Sequence, residues 1–353
     1  MSGELLCGRY DAALFDLDGV IYLGPRAVEG APEGVEGLRA EGVTVGFVTN
    51  NAARTPQTVA DHLVSLGIDC GLADVVTSAQ ASARMLAEAL PGGARVLICG
   101  TPALAAEIEA VGLSPVWSRQ DDPVAVIQGY DPEMTWPRVT DAAHAVQGGA
   151  RWYATNPDMT RPTDLGLEPG LGTQIATLRV CLEPGAEPEM AGKPFPPLLR
   201  ETVRRLSAEH PVFVGDRLDT DIEGAFNAGM DSLFVFTGAH GMRDLFAAGP
   251  RWRPTHVGYD IRALLKPIRN VEMSGDTARC GAAVARLDGP TDPSGPAARR
   301  VTVSGHGAER ESQLDALWAA LHLAWQHADR TNGADRSLTA DPGPVIEALD
   351  LLH

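Results

Sequence analysis

The chain has 353 residues, a formal net charge of −17 at pH 7 and an isoelectric point near 4.9. This length exceeds what one small core requires and predicts two or three domains. The acidic balance disfavours binding to nucleic acid, because a phosphate backbone would be repelled and the longest basic runs are pairs such as Arg204-Arg205.

Cysteine usage and the N-terminal residues indicate a compartment. Five cysteines are widely spaced and form no Cys-x-x-Cys pair, which disfavours a disulfide framework or a structural zinc site. The charged residues Arg9 and Asp11 precede any long apolar run, so we expect neither a signal peptide nor a membrane span. A soluble protein of the reducing cytoplasm fits these observations.

Short apolar runs that end in polar residues or glycine alternate with helical patterns, which predicts strand–helix–strand units and a parallel sheet. Strands over 12–15 and 43–48 are expected to be neighbours, with a helix over 31–41 between them. Strands over 211–215 and 232–236 repeat this pattern later in the chain. Between the first pair of strands and this later pair lies a second strand series, which we interpret as an inserted α/β unit: 96–100, 124–129 and 152–155.

The domain organisation follows from these two strand series. We predict an α/β core in two segments, 1–80 and 187–270, interrupted by a smaller α/β cap domain over 81–186. A C-terminal extension over 271–353 completes the chain, and its Pro/Gly-rich stretch 289–296 is the expected linker.

The extension is predicted to have a short β-β-α organisation. Residues 281–287 and 300–303 are expected to pair as two strands, followed by a helix. One face of this helix carries an apolar stripe that requires a partner surface. Docking on the rest of the chain and formation of a homodimer both stay open. The stripe consists of Leu314, Leu317, Trp318, Leu321 and Trp325.

The first strand ends in Phe15-Asp16-Leu17-Asp18-Gly19-Val20. Side chains alternate along a strand, so Asp16 and Asp18 would diverge if the strand continued, whereas a turn at Gly19 allows both carboxylates to reach one ligand. This arrangement suggests phosphoryl-transfer chemistry. An ordinary turn is equally open on this segment alone, because Asp and Gly are common turn residues.

The second strand ends in Thr49-Asn50-Asn51. In parallel sheets, ligands bind at the carboxyl ends of strands, where Asp16 would also lie. A hydroxyl, an amide and backbone N–H groups at that edge are suited to hold phosphate oxygens. The alternative is that Asn51 caps the following helix.

Two later segments add a cation and further carboxylates. Lys193, in Gly192-Lys193-Pro194, precedes a helical pattern and is a candidate to neutralise phosphate charge. Asp216 follows a strand and is a candidate ligand of a divalent metal. Asp221 either assists the metal through water, holds Lys193 or stabilises a helix start. Asp219 is interpreted as a surface-loop residue.

In this order, the segments Asp-Leu-Asp-Gly-Val, Thr-Asn-Asn, Gly-Lys-Pro and Gly-Asp-x-x-x-Thr-Asp resemble the four motifs of the haloacid dehalogenase-like phosphatase superfamily. The resemblance extends from about Tyr10 to about Leu265. The insertion resembles the large α/β cap of the subfamily that contains 4-nitrophenyl, pyridoxal, phosphoglycolate and glycerol-3-phosphate phosphatases. The resemblance to this family implies a Rossmann-like parallel-sheet core with an inserted α/β cap.

The resemblance also implies an activity and a set of roles. Asp16 would be the nucleophile that forms an aspartyl-phosphate, and Asp18 would be the general acid and base. The expected cofactor is Mg²⁺, held by Asp16, the Asp18 backbone carbonyl, Asp216 and, through water, Asp221. The phosphate oxygens would be held by Thr49, Asn50, Asn51 and Lys193.

Within the cap, Thr155-Asn156-Pro157-Asp158 resembles subfamily segments near the leaving group, which makes Asn156 and Asp158 candidate substrate-binding residues. A loop of turn residues is the open alternative. The expected substrate is a small phosphomonoester. The length and the extension most resemble bacterial glycerol-3-phosphate phosphatases, while phosphoglycolate, pyridoxal phosphate and sugar phosphates stay open. A mutase-like phosphotransferase and an inactive phosphometabolite-binding module are the less favoured functions.

Overall fold

The computed structural model describes residues 4–163, 166–289, 299–331 and 340–350. These ranges contain three main sheets: a six-stranded parallel sheet, a five-stranded parallel sheet and a four-stranded antiparallel sheet. The predicted linker over 289–296 lies outside the described residues except for Gly289.

The first part of the chain supplies three strands of the six-stranded sheet. Its elements are β1 (Ala12–Asp16), β2 (Tyr22–Leu23), β3 (Arg26–Ala27), α1 (Ala31–Ala40), β4 (Thr44–Thr49), α2 (Pro56–Ser65), β5 (Val75–Thr77) and α3 (Ser78–Ala89). Strand β1 is buried along its whole length and pairs in parallel with β4, which confirms that the first two predicted strands are neighbours. Continuous burial is typical of a parallel strand covered on both faces.

The inserted part forms the five-stranded parallel sheet, in the order β12-β9-β8-β6-β7. Its elements are β6 (Arg95–Cys99), α4 (Pro102–Ala110), β7 (Ser114–Val116), β8 (Ala125–Gln128), α5 (Trp136–Gln147), β9 (Arg151–Ala154), β10 (Thr160–Thr163), β11 (Gly166–Pro169), α6 (Leu171–Arg179) and β12 (Glu189–Met190). Strand β12 lies three residues beyond the cap boundary predicted at 186 and pairs with β9. The domain boundaries themselves stay predictions.

The chain then returns to the six-stranded sheet. The elements are α7 (Pro196–Leu206), β13 (Pro211–Gly215), α8 (Glu223–Ala228), β14 (Asp231–Val235), α9 (Met242–Ala247) and β15 (His256–Gly258). The strand order is β15-β14-β13-β1-β4-β5, with β1 and β13 adjacent at the centre. The core and cap strand pattern therefore confirms the predicted α/β class.

The C-terminal extension is larger than the predicted β-β-α unit. Its elements are β16 (Val271–Ser274), β17 (Thr277–Cys280), β18 (Ala283–Asp288), β19 (Arg300–Ser304), α10 (Arg310–Thr331) and α11 (Gly343–Ala348). The expected strand pair is confirmed as the antiparallel β18 and β19. Strands β16 and β17 have four residues each, too few for a clear periodic signal.

The apolar stripe of α10 is covered by the same chain. All five stripe residues are buried in a hydrophobic cluster that also contains Leu245 of α9 and Phe234 of β14. The indole Nε1 of Trp325 donates a hydrogen bond to the Leu245 carbonyl at 2.9 Å, and Arg253 pairs with Asp329 at 2.7 Å. Helix α10 therefore docks on the core, and its stripe offers no surface to a second copy.

The described residues contain no helix that is both long and apolar enough to cross a membrane. All five cysteines lie in these ranges and are free thiols.

Candidate active site

The polar residues that the sequence singles out lie at the carboxyl edge of the six-stranded sheet. Asp16 is the last residue of β1, Thr49 is the last residue of β4, and Asp216 follows β13 directly. Because Phe15 lies opposite both Val214 of β13 and Phe47 of β4, these three strand ends meet at one point. This edge is where parallel sheets bind ligands.

Three carboxylates converge there. Asp16, Asp216 and Asp221 each place one carboxylate oxygen within 4.8 Å of the others. Asp216 is 2% exposed, yet within the described part of the chain its Oδ1 has no hydrogen-bond partner. An unpaired buried carboxylate oxygen is costly, whereas hard cations such as Mg²⁺ take carboxylate oxygens as ligands. These residues fit a magnesium ion.

Two glycines allow the chain to close around Asp216. Gly19 has φ +92°, and a Cβ at Gly19 or Gly238 would lie 2.7 or 1.9 Å from the Asp216 Oδ2. The Ala239 N–H donates to this oxygen at 2.6 Å, and the Thr237 hydroxyl donates to the Gly19 carbonyl at 2.6 Å. Sequence reasoning missed residues 237–239. Their position just after the predicted strand over 232–236 is the signal that could have identified them.

Lys193 is the cation of the site and is 2% exposed. Its Nζ lies 2.5 Å from the Asp16 Oδ1 and 2.7 Å from the Asp221 Oδ1. Burial by itself would lower the pKa of Lys193, but the charges of Asp16 and Asp221 outweigh burial and raise that pKa. The ammonium therefore stays charged. Of the roles left open for Asp221, the structure shows the one in which it holds Lys193.

Asp221 also orders the loop that carries Asp216. Its Oδ2 accepts hydrogen bonds from the backbone N–H groups of Asp216 at 3.2 Å and Arg217 at 3.1 Å. The residue lies within a π-helical turn over Leu218–Ile222 that leads into α8. Asp219 lies in the same turn, is half-exposed and pairs with Arg217 at 2.9 Å, so it is a surface residue as predicted but belongs to a helical turn and not to a loop.

The crowding of negative charge shifts the pKa values of the buried carboxyls. Burial and the charge of Asp221 together raise the pKa of Asp216 to about 7. Burial also raises the pKa of Asp16 well above its ordinary value, although Lys193 opposes this rise. A divalent cation among these groups would favour their ionised forms.

Asp18 differs from Asp16 because its side chain reaches solvent. The surrounding cleft walls desolvate its carboxyl and raise its pKa, while the charges of Arg54, Lys193 and Arg161 oppose this rise. A carboxyl that keeps its proton to higher pH is suited to general-acid catalysis. The two carboxylates of the first strand end therefore lie in different environments.

The loop after β4 is held by its own side chains. The Thr49 hydroxyl accepts from the Asn51 N–H at 3.0 Å, and the Asn51 Oδ1 accepts from the Ala53 N–H at 2.8 Å. Helix α2 is capped by Thr55, whose hydroxyl accepts from the Thr58 N–H at 3.2 Å. The alternative in which Asn51 caps this helix is therefore wrong, because Asn51 forms a local turn four residues before the cap.

Asn50, Asn156 and Asp158 meet where the cap joins the core. The Asn50 amide nitrogen lies 3.2 Å from both carboxylate oxygens of Asp158. The Asn156 amide donates to the Asn50 carbonyl at 2.6 Å, and its Oδ1 accepts from the Asp158 N–H at 3.1 Å. The structure thus brings two cap candidates against a core candidate, although their roles in substrate binding stay predictions.

Comparison with known proteins agrees with this geometry. A family model described as haloacid dehalogenase-like hydrolase matches residues 13–114, and one described as HAD-hydrolase-like matches residues 190–264. D-glycerol 3-phosphate phosphatase of Mycobacterium tuberculosis is 47% identical over 256 residues, 72% of this chain and 71% of its own length. Acid sugar phosphatase of Staphylococcus aureus is 34% identical over 239 residues, 67% of this chain and 90% of its own length.

A solved structure extends the likeness into the C-terminal extension. The crystal structure of a glycerol phosphate phosphatase from M. tuberculosis in complex with magnesium matches with a TM-score of 0.76 and 39% identity, covering 91% of this chain and 92% of that one. The chain belongs to the haloacid dehalogenase-like hydrolase family. Within that family it is a phosphatase, a phosphoric monoester hydrolase, and its cofactor is Mg²⁺.

Proposed function

We propose that this phosphatase hydrolyses glycerol 3-phosphate to glycerol and phosphate through an aspartyl-phosphate on Asp16. The reaction is supported by one observation above all: the Lys193 ammonium bridges Asp16 and Asp221 beside the unpaired Oδ1 of Asp216. The substrate is supported by the 47% identity to D-glycerol 3-phosphate phosphatase of M. tuberculosis.

In the first step, the Asp16 carboxylate attacks phosphorus in line and the bond between phosphorus and the glycerol oxygen breaks. The Asp18 carboxylic acid donates its proton to the leaving alkoxide. In the second step, the Asp18 carboxylate takes a proton from water as this water attacks the phosphorus of aspartyl-phosphate. The bond between phosphorus and the Asp16 oxygen then breaks, which releases phosphate and restores Asp16.

The other side chains of the site neutralise and hold the phosphate. Lys193 supplies a fixed positive charge, and the Thr49 and Asn51 loop lies at the same sheet edge. Asp16, Asp216 and the Asp18 carbonyl would hold a magnesium ion, which would neutralise charge between the anionic nucleophile and the anionic phosphate. We also propose a cytoplasmic location, supported by five free cysteines. A homodimer stays a prediction and would need a surface other than the α10 stripe.

A sugar phosphate is the second candidate substrate. The acid sugar phosphatase of S. aureus, 34% identical over 239 residues, favours it. The buried core groups do not distinguish the two, because they reach the phosphate and not the alcohol that leaves.

A panel of purified phosphomonoesters, compared by kcat/KM, tests the assignment. We expect glycerol 3-phosphate to exceed phosphoglycolate, pyridoxal phosphate and a sugar phosphate by about tenfold or more, the discrimination that a few cap contacts supply. A higher value for any other member would overturn the substrate and leave the phosphatase chemistry in place. Asp16→Asn, purified in parallel, controls for contaminating phosphatases.

A further inference from the structure

Asn50 clamps the backbone of Lys193. Its Oδ1 accepts from the Lys193 N–H at 2.8 Å, and its Nδ2 donates to the Lys193 carbonyl at 3.0 Å. All of these atoms are buried. Of the common side chains, an amide is suited to this pairing because it presents one donor and one acceptor side by side. The clamp fixes the residue whose ammonium bridges Asp16 and Asp221.

A cap carboxylate completes the hydrogen bonding of that amide. An amide nitrogen carries two hydrogens; one serves the Lys193 carbonyl, and the other is shared between the two carboxylate oxygens of Asp158 at 3.2 Å. A charged acceptor makes a stronger hydrogen bond than a neutral one and aligns the donor. Asp158 therefore determines the orientation of the Asn50 amide, and Asn50 determines the position of Lys193.

The packing around Gly192 shows that cap, core and the Lys193 loop are in direct contact. A Cβ at Gly192 would lie 2.5 Å from the Thr155 carbonyl oxygen, 2.7 Å from the Asn50 Oδ1 and 2.9 Å from the Asn156 Cβ. The Gly192 N–H also donates to the Thr155 carbonyl at 2.8 Å. This segment follows β12, where the chain passes from the cap back to the core, so a shift of the cap is transmitted to Lys193.

We propose that Asp158, oriented by Asn156, acts through Asn50 as a positioning residue for Lys193, and that this relay couples the seating of the cap to phosphoryl transfer. The proposal deepens the proposed function and rests on it. It assigns Asp158 to the Lys193 loop, whereas direct binding of the leaving group would assign it to the substrate. The two assignments predict different kinetics.

The test compares Asp158→Ala and Asp158→Asn with the wild type on substrates that differ in their leaving group: glycerol 3-phosphate, phosphoglycolate and 4-nitrophenyl phosphate. A relay through Lys193 acts on the phosphate, which all three substrates share. We therefore expect Asp158→Ala to lower kcat/KM by about 10-fold to 100-fold. This factor should agree within about threefold among the three substrates. Asp158→Asn keeps one neutral acceptor and is expected to fall between Asp158→Ala and the wild type.

A double-mutant cycle locates the effect. Because Asn50 and Asp158 belong to one chain of contacts, Asn50→Ala combined with Asp158→Ala is expected to cost no more than Asn50→Ala alone. Additive losses, a loss under twofold in Asp158→Ala, or a loss that follows the leaving group would overturn the relay. If the wild type hydrolyses 4-nitrophenyl phosphate but not glycerol 3-phosphate, the proposed substrate is wrong while the relay can still be tested. The matched control is Asp141→Asn, because Asp141 is a cap carboxylate that accepts hydrogen bonds from Ser118 and Arg119.

Discussion

The core and the cap meet at the active site but contribute different kinds of residues to it. The core side chains are almost fully buried: Lys193 and Asp216 are 2% exposed and Asp221 is 1% exposed. On the cap side, Leu167 of β11 is 75% exposed and Met159, just before β10, is 57% exposed. Rigid buried charge suits the phosphate that every substrate shares, whereas an exposed surface is free to vary. Variants of the buried groups Lys193, Asp216 and Asp221 should therefore affect all substrates alike, whereas variants of the exposed β10–β11 hairpin should change the ranking of the substrates.

The largest effect is expected from Asp16→Asn. A neutral amide is not a nucleophile toward phosphorus, so phosphate release should fall by about 10⁴-fold or more for every substrate. Release of phosphate from glycerol 3-phosphate and 4-nitrophenyl phosphate measures it. Asp219→Asn, which changes a half-exposed carboxylate paired with Arg217, is the control and should stay within about twofold of the wild type. Undiminished release from Asp16→Asn would refute the nucleophile.

Asp18→Asn should show a smaller loss that depends on the leaving group. Removal of a general acid costs about 10²-fold to 10⁴-fold when the leaving alkoxide is strongly basic, as glycerol is. 4-Nitrophenolate leaves without a proton, so its release in the first step should suffer less, followed by slow hydrolysis of the aspartyl-phosphate. A rapid-mixing experiment should show a burst of 4-nitrophenolate. Equal losses for both substrates, with no burst, would contradict the acid–base role.

Removal of magnesium should make the stability of the fold depend on pH. The pKa of Asp216 is about 7 in the folded chain, well above that of an exposed aspartate, so the folded state holds a proton that the unfolded state releases. This stability is fully present below about pH 4 and is lost progressively as pH rises to about 7, where the folded state also releases the proton. The raised pKa of Asp16 acts in the same direction.

Thermal unfolding between about pH 4 and pH 8, in a chelator and in magnesium, measures this dependence. In the chelator the midpoint should fall as pH rises, and magnesium should remove most of the fall because a cation relieves the repulsion among Asp16, Asp216 and Asp221. The control Asp216→Asn should make the chelator curve less steep, because only the raised pKa of Asp16 then contributes. A flat wild-type curve in the chelator would show that the folded chain does not raise the pKa of these carboxylates.

The difference between core and cap also explains what the sequence predicts. Buried strands such as β1 carry a continuous apolar signal, and the carboxylates at their ends follow from it. The Asn50 amide, by contrast, contacts Lys193 and Asp158, residues 143 and 108 positions away, and no local pattern encodes such a contact. The β10–β11 hairpin escaped prediction because Thr160–Thr163 and Gly166–Pro169 have no apolar alternation.

The smallest effect, and the most informative about the cap, is expected from Arg161→Ala. The Arg161 guanidinium lies 4.9 Å from the centre of the Tyr130 ring and 3.5 Å from Glu168. Its charge lowers the pKa of Asp18, so its removal should raise that pKa. Since Asp18 must be protonated to donate, the alkaline limb of the kcat/KM profile should move to higher pH.

The same variant tests whether the hairpin contributes to recognition of the leaving group. Phosphoglycolate carries a second anionic group that a nearby arginine would attract, so Arg161→Ala should reduce its kcat/KM severalfold more than that of glycerol 3-phosphate. Arg151→Ala is the matched control, because Arg151 also lies over a cap tyrosine, Tyr153, at 5.2 Å, at the opposite end of its strand from Asn156. Arg161→Ala could instead lower kcat/KM equally for both substrates and leave the pH profile unchanged. The hairpin would then have no part in selectivity, and the leaving group would be recognised elsewhere in the cap.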